Sequence, residues 1–85
     1  MSILAVEQHA LASSISFTED SLVAELVDGR VVSVPLIWFP RLSRASSKEL
    51  ETWELLGDGE GIHWPLLDED LSVAGLLMGN SSIRG

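Results

Sequence analysis

The sequence predicts an α+β fold: an antiparallel β-meander plus a second short hairpin, with two or three short helices. Three observations carry that expectation. Segments of alternating apolar and polar residues lie between residues 13 and 34 and are separated by turn residues. A second pair of short segments flanks the alternating glycines Gly57, Gly59 and Gly61. Helix-start signals are present, but no long run keeps a 3.6-residue apolar period.

Taken in order, Ile3, Leu4 and Val6 suit a short strand and Ala10 to Ala12 a helical turn, without clear periodicity. Ile15 and Phe17 alternate with Ser14, Ser16 and Thr18, the period-2 signature of a strand with one buried face. Glu19-Asp20 supply a turn. Leu22, Ala24 and Leu26 then alternate with Val23, Glu25 and Val27 to give a second strand. Asp28-Gly29 predicts a type I′ hairpin turn, in which both central residues take φ > 0. Arg30 to Val34 returns as a third strand rich in β-branched residues.

Pro35 has no N–H for the ladder and ends that strand. A helical turn is expected to open there and restart at Pro40, with Leu36, Phe39 and Leu42 on its inner face. Ser46-Ser47-Lys48-Glu49 matches a capping box, so a helix should run from Ser47 to about Thr52. Trp53 and Leu55 alternate with Glu54 and Leu56 as a fourth strand. Beyond the glycine-rich turn, Ile62-His63-Trp64 returns as a fifth, with Ile62 and Trp64 inward and Pro65 closing it. Asp68, Glu69 and Asp70 are expected at the start of a last helix, where its dipole favours acids. Ser72 would cap that helix, Val73, Leu76 and Leu77 would be its apolar side, and Gly79 would end it.

Eighty-five residues allow one domain, assigned here to 13–79, with 1–12 left without an assigned order and 80–85 as a frayed tail. The chain is 46% hydrophobic, which excludes a disordered class, and its mean hydropathy is positive. A small domain with that much apolar material is expected to leave some for a partner or a second copy. The net charge of −8 repels phosphates and anionic lipid heads and favours basic partners. No cysteine is present, the start lacks a signal-peptide pattern, and no run of 18 apolar residues occurs. A cytoplasmic location without membrane contact is the expectation.

Candidate chemistry is sparse. The Gly57–Gly61 run has two acids and no lysine, so it reads as a hairpin turn rather than a phosphate cradle. His9 and His63 lack the close-spaced partners of a zinc site, and His63 is expected outward beside a carboxylate. The contiguous acids at 68–70 do not suggest two carboxylates with separated pKa values. Arg41, Arg44 and Lys48 would share a face if the chain were helical through Ser47. That face would offer nucleic-acid contacts or, in the preferred reading, pair with the acidic run. No catalytic triad is recognisable, and the size leaves little room for a deep pocket. No enzyme activity, cofactor or metal is expected.

Several segments together resemble a known family. They are Asp28-Gly29-Arg30, Val34-Pro35-Leu36, Trp38-Phe39-Pro40-Arg41-Leu42, Trp53-Glu54-Leu55, Gly59-Glu60-Gly61-Ile62-His63-Trp64-Pro65, Leu67-Asp68-Glu69-Asp70-Leu71 and Gly75-Leu76-Leu77. In this order they are similar to the small bacterial domain-of-unknown-function family numbered 2442, over about Ile15 to Gly79. The resemblance implies an antiparallel meander followed by short helices and implies no established activity or cofactor. It also implies a gene beside that of another small family, the two suspected of forming a toxin–antitoxin-like pair. Some relatives add a helix-turn-helix segment, for which this chain is expected to end too soon after Gly79.

The function expected is therefore an acidic, non-enzymatic interaction module that binds and neutralises a small basic protein, possible self-association aside. Trp38, Phe39 and Trp64 are the candidate anchors, and Asp68 and Asp70 the candidate steering acids. Their competing role is core and helix cap, and for Trp64 the core is preferred. A nucleic-acid-associated regulator using Arg41, Arg44 and Lys48 is the alternative, and a self-associating structural domain is a third.

Overall fold

The computed structural model describes residues 10–79. The segment around Ile3 to Val6, His9 and the tail at 80–85 lie outside the described residues. Six strands form two three-stranded antiparallel sheets, ordered β1-β2-β3 and β4-β5-β6. They are β1 Ala12–Phe17, β2 Ser21–Leu26, β3 Val31–Pro35, β4 Glu54–Leu56, β5 Gly61–Trp64 and β6 Glu69–Ser72. A 3-10 turn, Leu36–Trp38, and two four-residue helices, α1 Pro40–Ser43 and α2 Ser47–Leu50, link the sheets. The last helix, α3, is Val73–Met78. The α+β architecture expected from the sequence is the one observed.

The first sheet follows its pattern. Leu22, Ala24 and Leu26 of β2 are buried, and across the ladder Leu22 faces Val34 while Ala24 faces Val32. The first strand begins at Ala12, where a helical turn was expected. Register shifts between Ala12 and Ser14, so Ser13 is an extra residue opposite β2. A one-residue bulge reverses the side-chain parity. It places Ala12, an even-numbered residue, on the same buried face as Ile15.

The hairpin between β2 and β3 differs from the expected type I′ turn. Gly29 has φ +99°, but Asp68 is the only non-glycine with positive φ among the described residues, so Asp28 does not enter the left-handed region. The Gly29 N–H donates to the Leu26 carbonyl, and the Leu26 N–H to the Arg30 carbonyl. That is a longer hairpin with glycine alone in the special conformation, one of the common three-residue solutions. Asp28 accepts from the Arg30 N–H at 3.0 Å and from Arg30 Nε at 2.9 Å. Those donors, the backbone N–H first, hold its carboxyl below the usual range.

The second sheet is larger than the hairpin expected, because Glu69–Ser72 adds a third strand. Ile62 faces Leu71, His63 faces Asp70 and Trp64 faces Glu69. The acids at 69 and 70 therefore lie in a strand, and α3 starts only at Val73. Asp and Glu are poor strand formers. Here cross-strand pairing with β5 and inward packing of Leu71 outweigh propensity, while Asp68 turns the corner with φ +52°. Both helix caps are as expected: Ser46 and Glu49 form a reciprocal capping box, and Ser72 Oγ accepts from the Gly75 N–H. Gly79 ends α3 with φ +83°.

One core joins the two sheets. Trp64, Phe39, Leu22, Leu42, Ile62 and Val73 are its largest fully buried side chains. The Trp64 indole N–H donates to the Leu50 carbonyl at 3.0 Å, satisfying the polar handle of a buried ring. The Phe17 ring lies 6.3 Å from that of Trp64, tilted at 60°. The sheets also touch backbone to backbone, through a 2.8 Å bond from the Ala12 N–H to the Gly59 carbonyl.

Candidate partner-binding groove

The end of β1 and the α1–α2 segment stand apart enough to leave an open groove of about 720 Å³. Its apolar lining comes from Ile15, Phe17, Leu36, Leu42, Leu50 and Trp53, and two acids join it, Glu19 just after β1 and Glu51 just after α2. This volume falls within the ~300–1,000 Å³ range of ligand clefts, more room than the chain's length led us to expect. The groove exists because α1 and α2 are separate four-residue helices. Arg44 caps the first, and Ser46 is extended (φ −76°, ψ 163°) as it caps the second. The chain bends at Ala45 and leaves Phe17 and Trp53 half-buried at its rim.

The same bend removes the common basic face expected of Arg41, Arg44 and Lys48, since a helix does not continue from one to the next. Arg41 pairs internally as preferred: Nη1 donates to the Asp68 carbonyl at 2.6 Å and lies 3.8 Å from Glu69 Oε1.

Of the candidate anchors, Phe39 is 1% exposed and Trp64 is 0% exposed. Neither offers a contact surface: this corrects the expectation that Phe39 anchors a partner, and for Trp64 it is the preferred core role that is observed. Trp64 shares the inward face of β5 with Ile62, and Phe39 sits between the 3-10 turn and α1, so both rings close the core. Trp38 is half-buried and packs edge-on to Phe39, centroids 6.3 Å apart at 69°. Asp68 and Asp70 are exposed, but on a turn and a strand rather than as caps of a helix.

His63 is the centre of a second cluster on the outer face of the β4-β5-β6 sheet. Register places Glu54 on one side of it and Asp70 on the other. His63 Nδ1 is hydrogen-bonded to Asp70 Oδ1, as its expected outward carboxylate partner. That bond first, then the charges of Asp70, Glu54 and Asp68, raises the imidazole above its ordinary value. Among the described residues no group of three or more His, Asp or Glu is arranged to hold a metal ion.

Phe17, Trp53, Glu19 and Glu51 are the groove residues that sequence reasoning did not single out. Phe17 carried a strand signal and Trp53 another, but nothing in the pattern indicated that the two strand ends meet across one groove.

Fold and groove together define a small α+β domain of two antiparallel meanders over a shared core. The chain belongs to the family described as Protein of unknown function (DUF2442), whose model matches residues 12–82. It is similar in structure to a protein of unknown function from Rhodospirillum rubrum ATCC 11170, with 29% identity and a TM-score of 0.77. That match covers 89% of this chain and 94% of the other. An uncharacterized protein, CV0863, from Chromobacterium violaceum shares the fold at 22% identity and a TM-score of 0.76, covering 95% of this chain and 76% of that one. No curated protein matches the chain.

Proposed function

We propose that this chain is a non-enzymatic, acidic protein-interaction module of the cytoplasm that captures and neutralises a small basic protein. The neighbouring gene product of an antitoxin-like pair is the partner we favour. The observation that carries the reading is the groove: an apolar lining joined by the carboxylates of Glu19 and Glu51, in a chain of net charge −8. Apolar anchors surrounded by complementary charge give both affinity and steering. Phe17 and Trp53 take the anchoring role in place of the buried Phe39. Glu19 and Glu51 join Asp68 and Asp70 as the acids that draw the partner in.

Co-expression with the untagged neighbouring gene product tests the reading. A stoichiometric basic protein should co-purify, and replacing both Glu19 and Glu51 by Lys should slow its association by about tenfold or more at low salt. Recovery of the chain alone, or an association rate indifferent to that double exchange and to salt, would refute it.

A further inference from the structure

The proposed partner site also has a backbone wall. Five consecutive residues, Ile15 to Glu19, line the groove, about 16 Å of chain at extended spacing. They include the outer edge of β1, which among the described residues pairs only with β2. In an antiparallel ladder successive residues point their N–H and C=O groups to opposite sides. The Thr18 N–H donates to the Ser21 carbonyl of β2, which fixes the parity. Ser14, Ser16 and Thr18 turn their backbone groups toward β2, and Ile15 and Phe17, which both line the groove, turn theirs away from β2. Among the described residues no hydrogen bond occupies those outward groups.

Among the described residues this edge also lacks the usual guards. Edge strands are ordinarily blunted by charge, proline or cover. The outer strands β4 and β6 carry Glu54, and Glu69 with Asp70, and β3 ends in Pro35. Only β1, Ala-Ser-Ser-Ile-Ser-Phe, has neither a charge nor a proline. Its neighbours across the groove are Leu50, Glu51 and Trp53, not another strand.

We infer that β1 receives an extended segment of the basic partner as an added strand, held by the outward N–H and C=O groups of Ile15 and Phe17. This rests on the groove being the partner site and specifies how the partner is read. Strand addition supplies main-chain hydrogen bonds, while alternate side chains meet pockets. Here an apolar side chain enters between Phe17 and Trp53, and flanking lysine or arginine residues meet Glu19 and Glu51. A second copy of this chain is disfavoured as the occupant, because two chains of net charge −8 repel each other.

The test is amide exchange by NMR on the full chain, with an acetylated, amidated heptapeptide alternating lysine and valine as probe. Strand addition slows exchange at Ile15 and Phe17 by about tenfold or more and leaves Ser14 and Ser16, already bonded to β2, unchanged. A peptide methylated on alternate backbone nitrogens should bind in one parity and fail in the other. Shifts at the Phe17 and Trp53 rings without alternating protection would overturn strand addition and leave the groove reading standing. Shifts confined to other surfaces, or none, would overturn both. Protection of Ile15 and Phe17 without peptide, with dimers by light scattering, would assign the edge to a second copy and overturn the inference.

Discussion

Replacing Gly59 by Ala tests how the two sheets are joined. Gly59 has φ +107°, and an added Cβ would lie 2.3 Å from the Ala12 carbonyl oxygen and 3.0 Å from its nitrogen. Real Cβ contacts stay above about 3.0 Å, so the start of β1 must retreat by about 0.7 Å, the difference between 3.0 and 2.3 Å. Both partners of the 2.8 Å bond from the Ala12 N–H to the Gly59 carbonyl are buried. Disrupting such a bond costs about 1–3 kcal/mol, and the backbone conformation itself costs an L-residue about 1–3 kcal/mol more. The sum is about 2–6 kcal/mol. A domain of this length has only about 4–13 kcal/mol in all. Gly29→Ala is the control, because φ is +99° but nothing lies within 4 Å of an added Cβ. It carries the conformational cost alone, and both exchanges stiffen the unfolded chain alike. Urea unfolding followed by tryptophan fluorescence, with m-values compared, should show Gly59→Ala losing about 1–3 kcal/mol more than Gly29→Ala. Equal losses would refute the close approach of β1 to the β4–β5 turn.

Three further outcomes are expected. The His63 imidazole should titrate by NMR above its ordinary value of 6.5, and Asp70→Asn should bring it back down. Because the folded value is raised, the stability His63 contributes is fully present below its unfolded pKa and is lost as pH rises through the folded one. The urea midpoint of wild type should accordingly fall relative to His63→Gln over that rise. Ser46→Ala removes half of the capping box and should cost about 1 kcal/mol, lowering Tm by about 4–8 °C in a thermal melt. Trp64→Phe leaves the Leu50 carbonyl without its donor and opens space in the core, so equilibrium unfolding should show a loss of at least about 1–3 kcal/mol. A smaller loss would mean that water replaces the indole.

The elements legible in the sequence were those whose signals are local. The alternation in β2 and β3, the Ser46 box, Pro40 at a helix start and Gly79 at a helix end each depend on a few neighbouring residues. What escaped depends on contacts between distant segments. In Glu69–Ser72 a single leucine gives no alternation to detect, and the strand exists because β5 lies beside it. In the aromatic run Trp38-Phe39 the sequence does not separate anchor from core, and only the packing buries Phe39 while leaving Trp38 half-buried. The groove was illegible for the same reason, since its walls come from β1 and from residues about thirty positions later.

Charge and edge exposure are connected in this molecule. A strand without charge or proline invites pairing with any other exposed edge, including its own copy. The surrounding chain carries 13 acidic residues against five basic ones, so two copies approaching edge to edge repel each other. That repulsion would guard β1 against self-pairing without a charge in the strand itself, and would turn to attraction for the basic segment proposed above. Screening should therefore act in opposite directions on the two processes. Raising salt should weaken capture of the proposed basic partner and relax the barrier to self-association. If light scattering showed self-association suppressed by salt, the acids would be holding copies together, and the link between charge and the open edge would fail.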